Sequence, residues 1–287
     1  MSVAPIALPR AVGEARVVFK RRDDATVLQD LYQQGCCKVR LPRIDPGEPL
    51  QAVLLNTAGG LTDGDRVRQA ITWQEDTHAV VTTQAAERIY RSRGEMAVVH
   101  NVLEVRAGAR AIWLPQETIL FEGARLERHW RADLASDAML FAAETWTLGR
   151  TAMGETVTTG ALTDAWEIYR DGRLLWADRL AFDSDRVGDL EAWAARPAVL
   201  AGNTTLLTLV VIAPEPQVAC DAANVALGSV DSLSGATRIG DLVLIRALAK
   251  NAAQLRATLL LLIDRLQSGA GSVHPLHGCR VPRVFDC

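Results

Sequence analysis

The residues best placed to do chemistry are carboxylates set among apolar neighbours. Glu144 lies inside Ala142-Ala143-Glu144-Thr145-Trp146, Asp178 follows Leu175-Trp176-Ala177, and Glu87 stands between Ala86 and Arg88. Asp63 and Asp65 project from the run Gly59-Gly60-Leu61-Thr62-Asp63-Gly64-Asp65, whose glycines permit two tight reversals in succession. A carboxylate among apolar residues is costly unless it is paired, bound to a metal or facing water. Two readings follow. In one, Arg88, Arg150 or Arg179 neutralises these groups as salt-bridge partners. In the other, they line an acidic, water-filled passage for a hard or borderline cation.

A second cluster, His274-Pro275-Leu276-His277-Gly278-Cys279, offers two imidazoles and a thiol, a donor set suited to nickel or zinc. It supplies only three donors, on a stretch punctuated by Gly and Pro. Cys36-Cys37 reads as a strand-edge pair of small hydrophobes, because adjacent side chains on a strand point to opposite faces. Phosphate-binding, dinucleotide-binding, zinc-peptidase, C-x-x-C and G-x-S-x-G motifs do not occur in the sequence.

Those residues need a scaffold, and composition bounds it. The 287 residues are 49% hydrophobic and 23% charged, enough for a self-sufficient core. A net charge of −3 gives no electrostatic case for nucleic acid or an anionic membrane. The apolar runs 206–214 and 257–263 are too short to span a bilayer, and the first ten residues lack the pattern of a signal peptide. Five cysteines do not form an even disulfide framework. The expected setting is reduced and cytoplasmic.

Short apolar, β-branched runs between turn residues predict a β-rich body over residues 16–182, preceded by an N-terminal segment, 1–15. Asp171-Gly172 marks a hairpin that pairs Ile168 with Leu175 and Tyr169 with Leu174. Apolar pairs on both faces predict a strand layer covered on both sides, as in stacked sheets or a β-solenoid. An α+β segment, 183–268, follows. It contains helices near 190–195 and 219–227, strands near 206–213 and 241–248, and a long helix capped by Asn251 that runs to Gln267. The remainder, 269–287, reads as a flexible tail. The fold class is therefore mainly β, with a long C-terminal helix.

Four segments together resemble the UreD (UreH) family of urease accessory proteins. They are the Gly59–Asp65 loop; Thr82-Thr83 through Arg88-Ile89-Tyr90-Arg91-Ser92; Trp113-Leu114-Pro115-Gln116-Glu117-Thr118-Ile119-Leu120-Phe121-Glu122-Gly123-Ala124; and Leu148-Gly149-Arg150-Thr151-Ala152-Met153-Gly154-Glu155. The resemblance is good over residues 16–180 and weaker beyond. The ending Val281-Pro282-Arg283-Val284-Phe285 is similar to the family's terminal Pro-Arg-aromatic signature, with Phe285 where a Trp is usual. The resemblance implies a chaperone without catalytic activity. It implies partners similar to UreF and UreG, docking on apo-urease, and help with nickel insertion. No cofactor would be bound permanently; Ni2+ would pass through an internal channel. Asp65, Glu144, Asp178 and Glu87 are then the expected transient ligands, since isolated oxygens let a cation move on whereas a Cys/His cage would trap it. Apolar content and the tail also predict a chain that behaves poorly until its UreF-like partner covers it. The rival reading is a carboxylate-dependent, glycan-active hydrolase on a β-solenoid, using a pair such as Asp65 and Glu144. A third is a scaffold that only exposes an apolar interface.

Overall fold

The computed structural model describes residues 10–150, 154–269 and 274–285. It is 50% strand and 15% helix, mainly β as the sequence predicts. The chain begins with the hairpin β1 (Val12–Arg22) and β2 (Ala25–Gly35), then enters a second sheet with β3 (Cys37–Arg40) and β4 (Leu50–Asn56). From there it alternates between the sheets. β5 (Arg66–Trp73) lies in the first, β6 (His78–Thr83) and β7 (Glu87–Ile89) in the second. The next coil repeats this with β8 (Ala97–Val105), then β9 (Arg110–Trp113) and β10 (Thr118–Leu120). The last coil is β11 (Ala124–Leu134) and β12 (Met139–Leu148). β13 (Gly160–Arg170) and β14 (Arg173–Asp183) end the first sheet as a hairpin.

Within the first sheet β1, β5, β8, β11 and β13 run parallel, neighbour to neighbour. In the second, β4, β6, β9 and β12 do the same. The core of the protein is thus a two-sheet β-solenoid. Antiparallel strands close its ends: β2 and β14 on the first sheet, β3 on one side of the second.

Two short helices, α1 (Ser184–Val187) and α2 (Leu190–Ala194), lead into β15 (Thr205–Ile212), which pairs antiparallel with β12 and extends the second sheet. Helix α3 (Pro216–Leu227), the hairpin β16 (Leu233–Ile239) and β17 (Leu242–Ala249), and helix α4 (Ala252–Gly269) complete the chain. The second sheet is covered on both faces. Leu140, Ala142 and Trp146 of β12 face the first sheet, while Phe141 and Ala143 pack beneath α3 and α4. This double coverage makes β12 and β15 nearly continuous apolar runs rather than alternating ones.

Several local expectations hold. Asn251 Oδ1 accepts the Gln254 N–H at 2.9 Å and caps α4, and Leu255, Leu259, Leu262, Ile263 and Leu266 form its buried stripe. Asp171 and Gly172 both have positive φ, the geometry of a primed two-residue turn. The hairpin pairs Tyr169 with Leu174 as expected, but Ile168 faces Trp176 instead of Leu175. A register shift between Ile168 and Tyr169 displaces the pairing by one residue. β16 was not expected, because Leu233–Ile239 is an exposed edge strand with a weak apolar pattern. In the described part of the tail, Leu276, Cys279 and Phe285 are buried with the helices on the second sheet. The remaining tail residues, 270–273 and 286–287, lie outside the described residues.

Candidate functional site

In strand β11, residues of even number turn inward: Leu126, Trp130, Ala132 and Leu134 are all buried. Arg128 shares that parity, so its guanidinium enters the core between the sheets. On β13 its register partner is Asp164, which shares the inward parity of Leu162, Trp166 and Ile168. Arg128 Nε and Nη2 donate to Asp164 Oδ1 and Oδ2 at 2.8 and 2.7 Å, a bidentate pair. Arg128 Nη1 donates to Glu144 Oε2, from β12 across the core. Trp113 Nε1 donates to Glu144 Oε1 at 2.8 Å. Trp146 and Trp166 donate their ring N–H groups to Asp164 Oδ2 at 2.9 and 3.3 Å. The guanidinium also stacks 4.1 Å from the centre of the Trp146 ring.

One cation therefore serves two buried carboxylates. Asp164 takes the bidentate contact, and Glu144 keeps a single bond to the guanidinium. Burial raises the Glu144 pKa, against the pull of Arg128. Arg128 itself is held in its charged form by both carboxylates, although burial alone would favour its neutral form.

This cluster borders a cavity of about 50 Å³ lined by Gln69, Thr83, Glu87, Asn101, Arg128 and Glu144, among others. Asn101 Oδ1, in its wall, is buried without a hydrogen-bond partner among the described residues. Glu87 is the second carboxylate of this wall. Asn56 Nδ2 donates to its two oxygens at 3.1 and 3.2 Å, and among the described residues it has no ion pair. Burial pushes its pKa up to about 7. Gln69, Thr83 and Glu87 also line an adjoining cavity of about 160 Å³ that is bounded by Asn56, Gly59, Gly60 and Arg88. Gly60 is required there: its φ is +145°, and a Cβ would lie 2.5 Å from the Tyr90 ring and 2.6 Å from Arg88 O.

Towards the other end of the solenoid, Trp166 on β13 pairs with Asp178 on β14. Asp178 is half-buried and forms an ion pair with Arg246 of β17. Glu144, Thr208 and Arg246 are successive register partners across β12, β15 and β17. Arg246 lines a cleft of about 660 Å³ whose walls include Leu180, Trp193, Leu206, Leu233 and Leu244. Glu87, Glu144 and Arg128 thus gather around one cavity, with Asp164 bonded to the guanidinium, while Asp178 with Arg246 forms a separate pair that lines neither this cavity nor the one beside it.

Asp65 is placed differently. Its Oδ1 accepts the Ala11 N–H at 2.7 Å and its Oδ2 the Thr62 N–H at 2.8 Å, so both oxygens close the glycine loop against β1. It does not line the cavities that hold Glu87 and Glu144. The Asp65–Glu144 pair of the hydrolase reading is therefore not assembled around one groove. Sequence-adjacent arginines are not the partners either: Arg150 pairs with Glu155 at 2.9 Å, Glu144 uses Arg128, and Asp178 uses Arg246. Nor do His274, His277 and Cys279 converge. His274 Nδ1 accepts the Leu276 N–H at 3.2 Å, Cys279 Sγ donates to Arg280 O at 3.3 Å, and His277 is exposed. Among the described residues, no group of three or more His, Cys, Asp or Glu side chains is arranged to hold a metal ion.

A family profile described as UreD urease accessory protein matches residues 11–279. The chain belongs to the UreD family. The urease accessory protein UreD of Chelativorans sp. (strain BNC1) is 44% identical over 274 residues, covering 94% of this chain and 95% of that protein. That of Rhizobium etli is 41% identical over 266 residues, covering 91% and 93%. That of Sinorhizobium medicae is 38% identical over 289 residues and covers 99% of both chains. Glu87, Arg128, Glu144, Asp164, Asp178 and Arg246 all fall inside the UreD match. Among the described residues, no helix is long and apolar enough to cross a membrane.

Proposed function

We propose that this UreD-family chain is a non-catalytic chaperone of urease maturation that conducts Ni2+ to apo-urease, in the cytoplasm, as one member of a complex with UreF-like and UreG-like proteins. Family membership supports the maturation role: its relatives carry the name of accessory proteins. One observation carries the conduit. A buried guanidinium is outnumbered by two carboxylates, beside a cavity whose other acid, Glu87, has no cationic partner among the described residues. When ionised, these acids outnumber the guanidinium, and among the described residues they form no closed metal cage, which suits a cargo that must bind and leave. In this reading the stepping points are Glu87, Glu144 with Asp164, and Asp178. Asp65, expected with them from the sequence, accepts from the Ala11 and Thr62 N–H groups instead. The metal is cargo, so no resident cofactor is needed.

The test is urease produced with Glu87→Gln, Glu144→Gln or Asp178→Asn variants, scored for nickel content and for assembly of the accessory complex. The conduit requires urease poor in nickel while the complex still forms. Full nickel loading in all three variants refutes it, and loss of the complex assigns the residue to structure.

A further inference from the structure

The paired cysteines do not behave as a strand pair. Gly35 adopts φ +58°, and a Cβ there would lie 1.7 Å from Val12 O, so only glycine allows the chain to turn at this point. Cys36 then occupies a turn between β2 and β3 instead of a strand position. Its N–H donates to Val12 O at 3.1 Å, and its carbonyl accepts from Thr57 N and Thr57 Oγ1 at 2.9 and 3.1 Å. The turn swings both sulfurs to one side. A Cβ on Gly13 would lie 2.5 Å from Cys37 Sγ and 2.6 Å from Cys36 Sγ, so the two sulfurs converge over the bare Gly13 backbone. Glu87 and Asp65 are close enough for their charges to be felt at Cys36.

Adjacent residues have Cα atoms about 3.8 Å apart, short of the roughly 4.4–6.8 Å that an unstrained disulfide spans. The sulfurs are therefore better arranged to share a ligand than to share a bond. Cys37 is buried, whereas Cys36 is partly exposed and gives access. Acidic neighbours favour a cation, and sulfur donors select soft or borderline ions.

We propose that Cys36 and Cys37 form a two-sulfur clamp for a soft or borderline divalent cation. Binding forms two metal–sulfur bonds and breaks two S–H bonds, releasing two protons to solvent per ion. The site adjoins Glu87 but takes its donors from the two thiols, so its test does not require the carboxylate conduit.

The test uses the full chain with Cys220, Cys279 and Cys287 replaced by serine, so that only this pair of thiols remains. Titration with Co2+ should give a sulfur-to-metal charge-transfer band that saturates at one ion per chain, releases protons and is displaced by Zn2+. Cys36→Ser and Cys37→Ser should each weaken Co2+ binding at least about tenfold, with circular dichroism unchanged. Gly13→Ala, which places a methyl group between the sulfurs, should also weaken it. Absence of the band in the two-thiol protein overturns the proposal. So does a band that either serine variant leaves unchanged.

Discussion

Arg128 and Asp164 are register partners on adjacent parallel strands, and their side chains meet through two hydrogen bonds of 2.8 and 2.7 Å in the centre of the core. Glu144 reaches the same guanidinium from the opposite sheet. A buried pair of this kind seldom adds much stability over an apolar replacement, but removing its cation alone strands the acids. Arg128→Met should therefore destabilise the protein by about 3–5 kcal/mol. Glu144→Gln keeps one acceptor and leaves one donor unserved, for a cost of about 1–3 kcal/mol. Denaturant unfolding of the two variants would check the order. Equal costs would mean that Arg128 is not the sole counter-charge.

The sequence carried a signal for this network that a search for acids flanked by apolar neighbours passes over. Leu126, Trp130, Ala132 and Leu134 share a parity, and Arg128 falls on it; Leu162, Trp166 and Ile168 do the same for Asp164. A charge on the apolar parity of a strand is a buried charge. Glu144 was found because its strand is apolar on both faces. The apolar pairs expected on both faces of the hairpin at Asp171-Gly172 pointed to stacked sheets, but Leu174 is exposed there, and the layer covered on both faces is the second sheet. Partners were not legible, because Arg128 and Arg246 reach Glu144 and Asp178 from the opposite sheet, and Asn56 reaches Glu87 from a strand that does not pair with its own. The backbone contacts of Asp65 were only half legible, since Thr62 is its neighbour in the loop but Ala11 comes from before the first strand.

Glu87 has a stability cost tied to its charge. Its pKa rises from 4.5 to about 7 on burial, so between those values the folded protein binds more protons than the unfolded chain. Stability from this group is complete below pH 4.5 and is lost as the pH rises through about 7, by on the order of 3 kcal/mol. Glu87→Gln should remove that decline and leave a protein more stable than wild type at pH 8. Thermal melts across pH 4.5–8 would decide it. A variant that tracks wild type at every pH would show that Glu87 ionises without hindrance.

His78 and His274 act in the opposite direction. Burial lowers both from 6.5 to about 4, so the unfolded chain takes up protons first as the pH falls. Their contribution is complete above pH 6.5 and is lost as the pH drops towards 4. His78 Nε2 lies 2.9 Å from Pro275 O, which ties β6 to the tail, so the tail should detach early in acid. Limited proteolysis near Leu276 should accelerate between pH 6.5 and 4. His78→Asn should shift that acceleration to lower pH. In a Glu87→Gln background the opposing carboxylate is removed, and the acid loss should appear steeper.

Asp65 and Glu87 allow the proposed conduit to be told apart from a purely structural acid. Asp65 satisfies two backbone donors, Ala11 N and Thr62 N, in the loop that carries the first strand. Asp65→Asn presents an amide to one of those donors, so one buried N–H loses its acceptor at a cost of about 1–3 kcal/mol. Its expected signature is a lower melting temperature and less accessory complex, with urease nickel falling in proportion to the complex that remains. Glu87→Gln should show the reverse: unchanged or higher stability at pH 8, normal complex and urease poor in nickel. Nickel per assembled complex is the deciding quantity. It should be preserved in Asp65→Asn and reduced in Glu87→Gln, and an equal reduction in both would place Asp65 on the path alongside Glu87.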